Sequence, residues 1–187
     1  MKIGLATVLV LLAATSQVTA ADEPSPPELA ECSAECKASM AQMVITLIND
    51  LGGVAFDESR LHGDRDQTVR TLARTLPQLG VTQVIATGHT GNFCTRAGKR
   101  GPALAPDELH ARKCSFMTEE YALALGERMA RSLAQLVTEA TGGKVRVKSI
   151  SYGQERPRVS YPEVDAATAG QWNEAASQNN RVELRLE

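Results

Sequence analysis

VTQVIATGHTG, at residues 81–91, is the segment from which the architecture of this chain can be worked out. Residues 81–87 are apolar or β-branched at most positions, which is typical of a short strand. The Gly-His-Thr-Gly that follows begins a stretch rich in glycine, proline and charge, so residues 88–116 are predicted to form a long loop.

Helices are predicted before and after this strand and its loop. Residues 64–79 carry apolar side chains at helical spacing and end at Pro77 and Gly80. Thr118 is a predicted N-cap for a second helix, which ends at the glycine pair 142–143. The predicted core faces are Val69, Leu72, Ala73, Leu76 and Leu79 on the first helix and Ala122, Leu125, Met129, Leu133, Leu136 and Ala140 on the second.

Two more strands are predicted in the second half of the chain. The first covers residues 145–152. The second covers residues 182–186, where apolar and charged residues alternate as they do in a half-buried strand. A short helix is predicted between them, at about residues 166–176.

The segment before residue 64 permits two interpretations. Apolar and cysteine residues at three- and four-residue spacing favour a helix that begins near Pro27, and Val44 and Leu47 would extend it. The run MVITLI at 43–48 is apolar and β-branched, which favours a strand. With that strand, the order β-α-β-α-β-β predicts an α/β (α+β) two-layer sandwich, with a small mixed sheet and helices on one face.

The N-terminus resembles a secretory signal peptide over residues 1–20, with a lysine, an apolar run and a small-residue cleavage site. The apolar run has roughly twelve residues, too few to span a bilayer, so we expect no transmembrane span in the mature protein. A linker and amphipathic segment at 21–42 and one domain at 43–187 would follow. Export predicts disulfides, because secreted cysteines usually oxidise.

Composition excludes some classes of function. The 187 residues are 43% hydrophobic and 22% charged, a balance typical of an ordered globular protein. Only 4% are aromatic and the net charge is −2, so the chain does not resemble a nucleic-acid binder.

Five segments, in this order, resemble the landmarks of the OmpA-like domain family. They are MVITLINDLGGVAFDESRL at 43–61, VIATGHTG at 84–91, MTEEYA at 117–122, SISYGQERP at 149–157 and NNRVELRL at 179–186. The resemblance implies a non-catalytic periplasmic module, associated with the cell wall or outer membrane, that binds the diaminopimelate part of the peptidoglycan stem peptide. It implies no cofactor.

The ligand of that family is zwitterionic, and the resemblance implies one residue of each charge to bind it. An aspartate that completes Gly-His-Thr-Asp would contact the ammonium, and an arginine of the second helix would contact a carboxylate. Gly91 and Tyr121 stand at these two positions, and Asn180 replaces the first arginine of the closing motif. Arg181 matches the second arginine. The sequence therefore predicts a retained scaffold that has lost its charged clamp.

If wall binding persists, we expect it at the same end of the domain. The backbone amides of residues 90–92 would meet a carboxylate, and Arg181 would supply charge. We expect Tyr121 to fill the vacated space next to Gly91 rather than to stack on a sugar. The predicted ligand-binding residues are Thr90, Gly91, Asn92, Tyr121, Asn179 and Arg181.

The connection at 92–116 is longer than the family's and is interpreted as an inserted loop. Cys94 and Cys114 bracket it and are predicted to form a disulfide, which leaves Cys32 and Cys36 as the second pair. From the sequence alone, all three pairings of four cysteines stay open. The loop could recognise an anionic ligand or be a solvated surface loop. Its basic residues are Arg96, Lys99, Arg100, Arg112 and Lys113.

Metal binding and catalysis are the alternatives that the residue pattern supports least. His89, Cys94, His110 and Cys114 could be metal ligands, but exported cysteines usually oxidise. The acidic pairs 57–58 and 119–120 are neighbours in sequence, so their side chains point apart on a helix. Trp172 is predicted to anchor the loop before the last strand.

Two hypotheses for function remain open at this point. The first is a cell-envelope binding module whose partner is peptidoglycan. The second is a protein–protein assembly subunit that kept the scaffold, with an envelope protein as partner. In the second, the segment at 28–43 would be either a docking helix or a helix packed on the sheet.

Overall fold

Three strands in the described part of the chain form a mixed sheet: β1 (Gln83–His89), β2 (Arg146–Gly153) and β3 (Arg181–Leu186). β1 lies in the centre, parallel to β2 and antiparallel to β3. The computed structural model describes residues 32–52, 63–95 and 110–187, without the side chains of Asp64 and Lys113. The predicted signal peptide and the extended piece at 54–56 lie outside these residues.

Four helices accompany the sheet within the same residues: α1 (Ala34–Leu51), α2 (Gly63–Ala73), α3 (Glu119–Ala140) and α4 (Ala169–Asn179). α3 packs across β1 and β2, α1 packs on β3, and α2 contacts both α1 and α3. α3 and β1 approach closely at Gly88 and Gly126, where a Cβ on Gly88 would lie 1.8 Å from the Gly126 carbonyl oxygen. The predicted α+β class with a small mixed sheet is confirmed.

The strand predicted at 43–48 is wrong, because these residues belong to α1. Ala41, Ile45 and Ile48 recur at helical spacing and are the buried residues of this helix. The helix begins at Ala34, after its N-cap Ser33, and not near Pro27. Residue 43, the predicted domain boundary, therefore lies within a helix of the compact unit Ser33–Glu187. β-branched content misled the prediction, since tertiary packing overrides propensity.

The end of α1 satisfies the outer edge of β3. The Asn49 side chain accepts from the Leu184 N–H at 2.6 Å and donates to the Leu184 carbonyl at 2.9 Å. The Val182 N–H donates to the Gly52 carbonyl at 2.8 Å. α1 thus takes the place of a neighbouring strand at these main-chain groups, which protects the edge.

The second predicted helix is confirmed from its first residue to its last turn. Thr118 caps α3 by accepting from the Tyr121 N–H at 3.3 Å. Gly142 and Gly143 have φ values of 59° and 76°, which only glycine adopts readily, and they end the helix. Of the predicted core face of α3, all but Ala140 are buried. No helix in the described ranges has the length and apolar character to cross a bilayer.

Candidate functional site

The landmarks from the middle and the end of the chain meet at the carboxyl end of β1. His89 pairs with Arg181 across the sheet, and the Gly91 N–H donates to Asn180 Oδ1 at 3.3 Å. Thr90 and Gly91 are both buried. The structure thus brings Thr90, Gly91, Asn92, Asn179 and Arg181 to one region, as the sequence predicts.

The main chain of this region is already hydrogen-bonded within the protein. The Thr90 N–H donates to the Gly153 carbonyl at 2.8 Å, and the Asn92 N–H donates to the Tyr161 hydroxyl at 2.7 Å. Together with the Gly91 bond to Asn180, all three amides of residues 90–92 have a partner. That these amides meet a ligand carboxylate stays a prediction that this geometry does not support, because a ligand would have to displace an internal acceptor.

Gly91 has no room for a side chain. A Cβ there would lie 1.9 Å from the Ala176 carbonyl oxygen and 2.6 Å from its carbonyl carbon. The main chain of α4 therefore occupies the space that an aspartate would need. The expectation that Tyr121 fills this space is wrong, since Ala176 fills it. Tyr121 is 40% exposed on α3, with the Arg128 guanidinium 5.7 Å from its ring centroid.

Arg181 is buried and its charge is used internally, contrary to the prediction that it supplies charge to a ligand. Only 9% of the residue is exposed. Its Nε lies 2.6 Å from a carboxylate oxygen of Glu183, and its Nη1 donates to the Asn179 carbonyl at 3.2 Å. Its Nη2 donates to the Arg156 carbonyl at 3.4 Å. Because every guanidinium nitrogen has a partner, Arg181 is a structural residue.

Asn179 is a structural clamp rather than a surface group. It is 1% exposed, and its Oδ1 accepts from the main-chain N–H groups of Arg158 and Val159 at 2.7 and 2.9 Å. Its Nδ2 donates to the Val159 carbonyl at 3.0 Å. These three bonds fix the loop after β2 against the end of α4. Its role as a ligand-binding residue stays a prediction that this geometry does not support.

His89 is a neutral residue of the interior at neutral pH. Burial, with a smaller contribution from the nearby Arg181 charge, lowers the pKa of His89 from 6.5 to about 4. Its ring stacks on Tyr152, with centroids 5.4 Å apart, and its Nε2 lies 3.5 Å from a carboxylate oxygen of Glu183. The Arg156 guanidinium covers the other ring of this stack, 3.7 Å from the Tyr152 centroid. The proximity of Glu183 opposes the shift but does not reverse it.

The disulfide predicted to close the inserted loop is present, between Cys94 and Cys114. Thr95 and Ser115 form an antiparallel bridge beside it, with N–H to carbonyl distances of 3.1 and 2.9 Å. Because both cysteines are oxidised, neither offers a thiolate to the alternative metal site with His89 and His110. Cys32 and Cys36 are also disulfide-bonded, and no described cysteine is free.

The base of this loop packs on α4 through Trp172, which belongs to the helix. The same ring contacts Tyr161 of the loop before α4, in agreement with the predicted anchoring of the segment before the last strand. The Trp172 Nε1 donates to the Asn92 carbonyl at 2.5 Å. Its ring stacks on Tyr161 with centroids 4.7 Å apart and contacts Phe116 at 4.9 Å. Of the predicted basic set, Arg112 is exposed. Arg96, Lys99 and Arg100 lie outside the described residues, as does the Lys113 side chain.

A surface groove lies on another side of α4, and the predictions from the sequence did not include it. The groove runs between α4 and the segment 159–167 and has a volume of about 530 Å³. Gln171, Glu174 and Gln178 form one wall, and Tyr161 and Pro162 belong to the other. Residues 171, 174 and 178 have helical spacing, so the sequence could indicate that they share one helix face. Only the fold shows that segment 159–167 lies opposite this face.

Comparison with solved structures finds similar folds. The peptidoglycan-associated lipoprotein from Burkholderia pseudomallei is 19% identical, with a TM-score of 0.48 over 73% of this chain and 88% of that chain. The C-terminal domain of Helicobacter pylori MotB is 12% identical, with a TM-score of 0.48 over 73% and 83%. The OmpA-like domain of FopA1 from Francisella tularensis is 15% identical, with a TM-score of 0.42 over 71% and 67%.

The described fold resembles the OmpA-like domain. No protein-family model matches the chain, and no curated protein matches its sequence.

Proposed function

We propose that this protein is a non-catalytic binding module of the bacterial cell envelope, exported to the periplasm. Its proposed partner is peptidoglycan, bound through a surface other than the charged pocket that the family resemblance implies. The observation that carries the proposal is the meeting of two separate landmarks, Gly-His-Thr-Gly and Asn-Asn-Arg, at the carboxyl end of β1. Segments about 90 residues apart in sequence come together there, and Gly91 and Tyr121 stand where the resemblance implies the charged clamp.

The filled pocket supports the second half of the proposal. Gly91 has no room for an acidic side chain, and Arg181 is paired with Glu183. A zwitterionic ligand bound there would keep both of its charges unpaired, which commonly costs a few kcal/mol per group. Binding to the wall therefore has to use groups that are exposed in this fold.

Sedimentation with insoluble peptidoglycan tests the proposal. The purified mature protein should sediment with the wall material at low and moderate salt, and free diaminopimelate should not release it. Tyr121→Arg should sediment to the same extent, because one restored arginine does not rebuild the clamp. If the wild-type protein stays in the supernatant at both salt concentrations, peptidoglycan association is wrong.

The same assay separates specific binding from adsorption by positive charge. A triple variant that neutralises Arg96, Lys99 and Arg100 should sediment like the wild type at moderate salt, where screening weakens long-range attraction. A control triple variant removes three charges from exposed positions of the described fold, at Arg74, Lys144 and Arg146. Loss of sedimentation in the first variant alone would assign binding to the inserted loop.

The second candidate function, a protein–protein assembly subunit, is favoured by the outer face of α1. Met43 and Leu47 are 63% and 47% exposed, and Met40 lies on the same face one turn earlier. A face of exposed methionine and leucine is a common feature of interaction surfaces. Sedimentation velocity at rising concentration tests self-assembly, which Met43→Gln with Leu47→Gln should abolish. If the wild-type protein stays monomeric at all concentrations, a second copy of this chain is not the partner of the α1 face.

A further inference from the structure

The groove on the outer side of α4 is an open depression of the surface. Its volume of about 530 Å³ lies in the range of small-molecule sites, which is about 300–1,000 Å³. One wall is the exposed face of α4, with Gln171, Glu174 and Gln178. The other wall and the floor contain Tyr161, Pro162 and several alanines.

The walls of the groove are held in place by buried contacts. Asn179 fixes the main chain at Arg158 and Val159, where the loop enters the groove wall. The Tyr161 hydroxyl accepts from the Asn92 N–H at 2.7 Å, and its ring stacks on Trp172. Because these contacts order the loop before a ligand arrives, binding would cost little conformational entropy.

Tyr161 presents an aromatic surface to the groove. One face of its ring is occupied by Trp172, so the part that lines the groove is the opposite face or the edge. An aromatic surface is apolar and fits the flat C–H face of a sugar ring. Amide and carboxylate side chains beside it can bond hydroxyl and acetamido groups, since an amide both donates and accepts.

The charged lining of the groove disfavours an anionic ligand, although Arg158 is exposed next to the lining residue Val159. Glu174 is the charged residue in the lining, and Glu163 and Asp165 are exposed on the adjoining loop. These carboxylates would repel a ligand carboxylate or phosphate, but they would not repel a neutral ligand. Gln171 is partly engaged, because its Oε1 accepts from the Thr168 N–H at 3.0 Å in the α4 capping box. Glu174 and Gln178 are the exposed groups on this wall that remain to contact a ligand.

We propose that this groove binds neutral N-acetylated hexose units of a glycan strand, with Tyr161 as the aromatic platform and Glu174 and Gln178 as the hydrogen-bonding groups. The proposal rests on the proposed function and names the part of peptidoglycan that is recognised. The ligand class follows from the aromatic and amide lining together with the absence of a cation among the groove residues.

A titration with a soluble oligomer of N-acetylglucosamine, followed by amide NMR of the full mature protein, tests the proposal. Saturable shifts are expected in segment 159–167 and on α4, with millimolar affinity. Glu174→Ala with Gln178→Ala should weaken binding about tenfold, which corresponds to about 1.4 kcal/mol. Both residues are exposed, so the variant should fold normally. A control variant with Gln42→Ala and Glu120→Ala changes the same residue types on other helices and should bind like the wild type.

The outcomes separate this inference from the proposed function. Absence of saturable shifts at the groove, while the protein still sediments with peptidoglycan, would overturn the glycan site alone. Shifts at the groove with a lysine-containing peptide but not with the sugar would also overturn it and indicate a protein partner. Equal binding by the α4 variant and the control variant would show that the sugar contacts another surface.

Discussion

The two sides of α4 have different surroundings: the inner side is packed against the end of β1, and the outer side is open to solvent. On its inner side, Trp172 and Ala176 face the end of β1, where the Ala176 carbonyl takes the space beside Gly91. On its outer side, Glu174 and Gln178 line an open groove. On the inner side, the helix main chain fills the space next to Gly91. On the outer side, the groove is open, and there we propose that a ligand binds.

This contrast shows what occupies the space beside Gly91. A glycine at residue 91 allows the α4 main chain to approach the end of β1 directly. The helix main chain therefore occupies the space that a side chain at residue 91 would need. The polar groups of the region then pair with each other, as Arg181 does with Glu183. A pocket closed in this way is rigid, because opening it would leave main-chain and charged groups unpaired.

The largest expected effect is at Gly91, on the inner side. Gly91→Asp should lower the free energy of unfolding by about 4 kcal/mol, because its Cβ would overlap the Ala176 main chain and its charge would be buried. Urea denaturation of purified variants measures this. Tyr121→Arg, at an exposed position, is the control and should change stability by less than about 0.5 kcal/mol. A stable Gly91→Asp protein would contradict the closed inner side.

The disulfide that closes the inserted loop should have the next largest effect. Replacing Cys94 and Cys114 by alanine removes a cross-link of sequence separation 20, which the chain-entropy model values at about 3 kcal/mol. Cys94 and Cys114 themselves pack in the Trp172 cluster. The cluster should nevertheless stay folded, because the stacking of Trp172 on Tyr161 and its hydrogen bond to the Asn92 carbonyl remain. Urea denaturation gives the stability, and tryptophan fluorescence reports the cluster. A red-shifted emission would show that the disulfide, and not packing, holds Trp172.

Acid should destabilise the sheet end through His89. Since burial lowers the pKa of His89 to about 4, the unfolded chain takes up a proton first as the pH falls below 6.5. The contribution of His89 to the free energy of unfolding is therefore complete above pH 6.5. It is lost as the pH falls to about 4, and the loss is at most about 3 kcal/mol. His89→Gln should remove this part of the pH dependence, whereas His110→Gln, at an exposed position, should keep it. Identical pH profiles for the wild type and His89→Gln would refute the assignment.

Asn179 connects the two sides of α4, so its loss should affect the groove. Asn179→Ala removes three buried hydrogen bonds and should cost about 2 kcal/mol of stability. Hydrogen exchange at residues 158 and 159 should become faster. Gln178→Ala, one residue away on the outer side, should leave stability within about 0.5 kcal/mol. Unchanged exchange at 158 and 159 would mean that other contacts hold the groove wall.

The smallest expected effect is at Thr90. Its hydroxyl is buried and has no hydrogen-bond partner among the described residues. Thr90→Val keeps the shape and removes an unsatisfied group, so stability should stay the same or rise by up to about 1 kcal/mol. Sedimentation with peptidoglycan should be unchanged. Reduced sedimentation by a stable Thr90→Val protein would return this residue to the ligand site.

Local patterns predicted most of the fold. Thr118 and the glycine pair at 142–143 mark the ends of α3, and the alternation at 182–186 marks β3. α1 was mistaken for a strand in part because its β-branched residues satisfy the composition of a strand. Its helical form depends on packing against β3 and on the bonds of Asn49 to Leu184, which join residues far apart in sequence.

The candidate site was less predictable for a physical reason. The sequence indicates that an acidic residue is missing at position 91, but it does not indicate that the main chain of α4 replaces it. It also suggests that Arg181 is available, although Glu183 two residues later neutralises it on the same face of β3. The groove depends on the loop at 159–167 returning to α4, and Tyr161 has no local pattern that marks it.

We expect the inner side of α4 to be closed to diaminopimelate. Amide NMR of the full mature protein during a titration with free diaminopimelate tests it most directly. The amides of Thr90, Gly91 and Asn92 should keep their chemical shifts. Their N–H groups should stay hydrogen-bonded to Gly153, Asn180 and Tyr161, respectively. Saturable shifts at these three amides would contradict it.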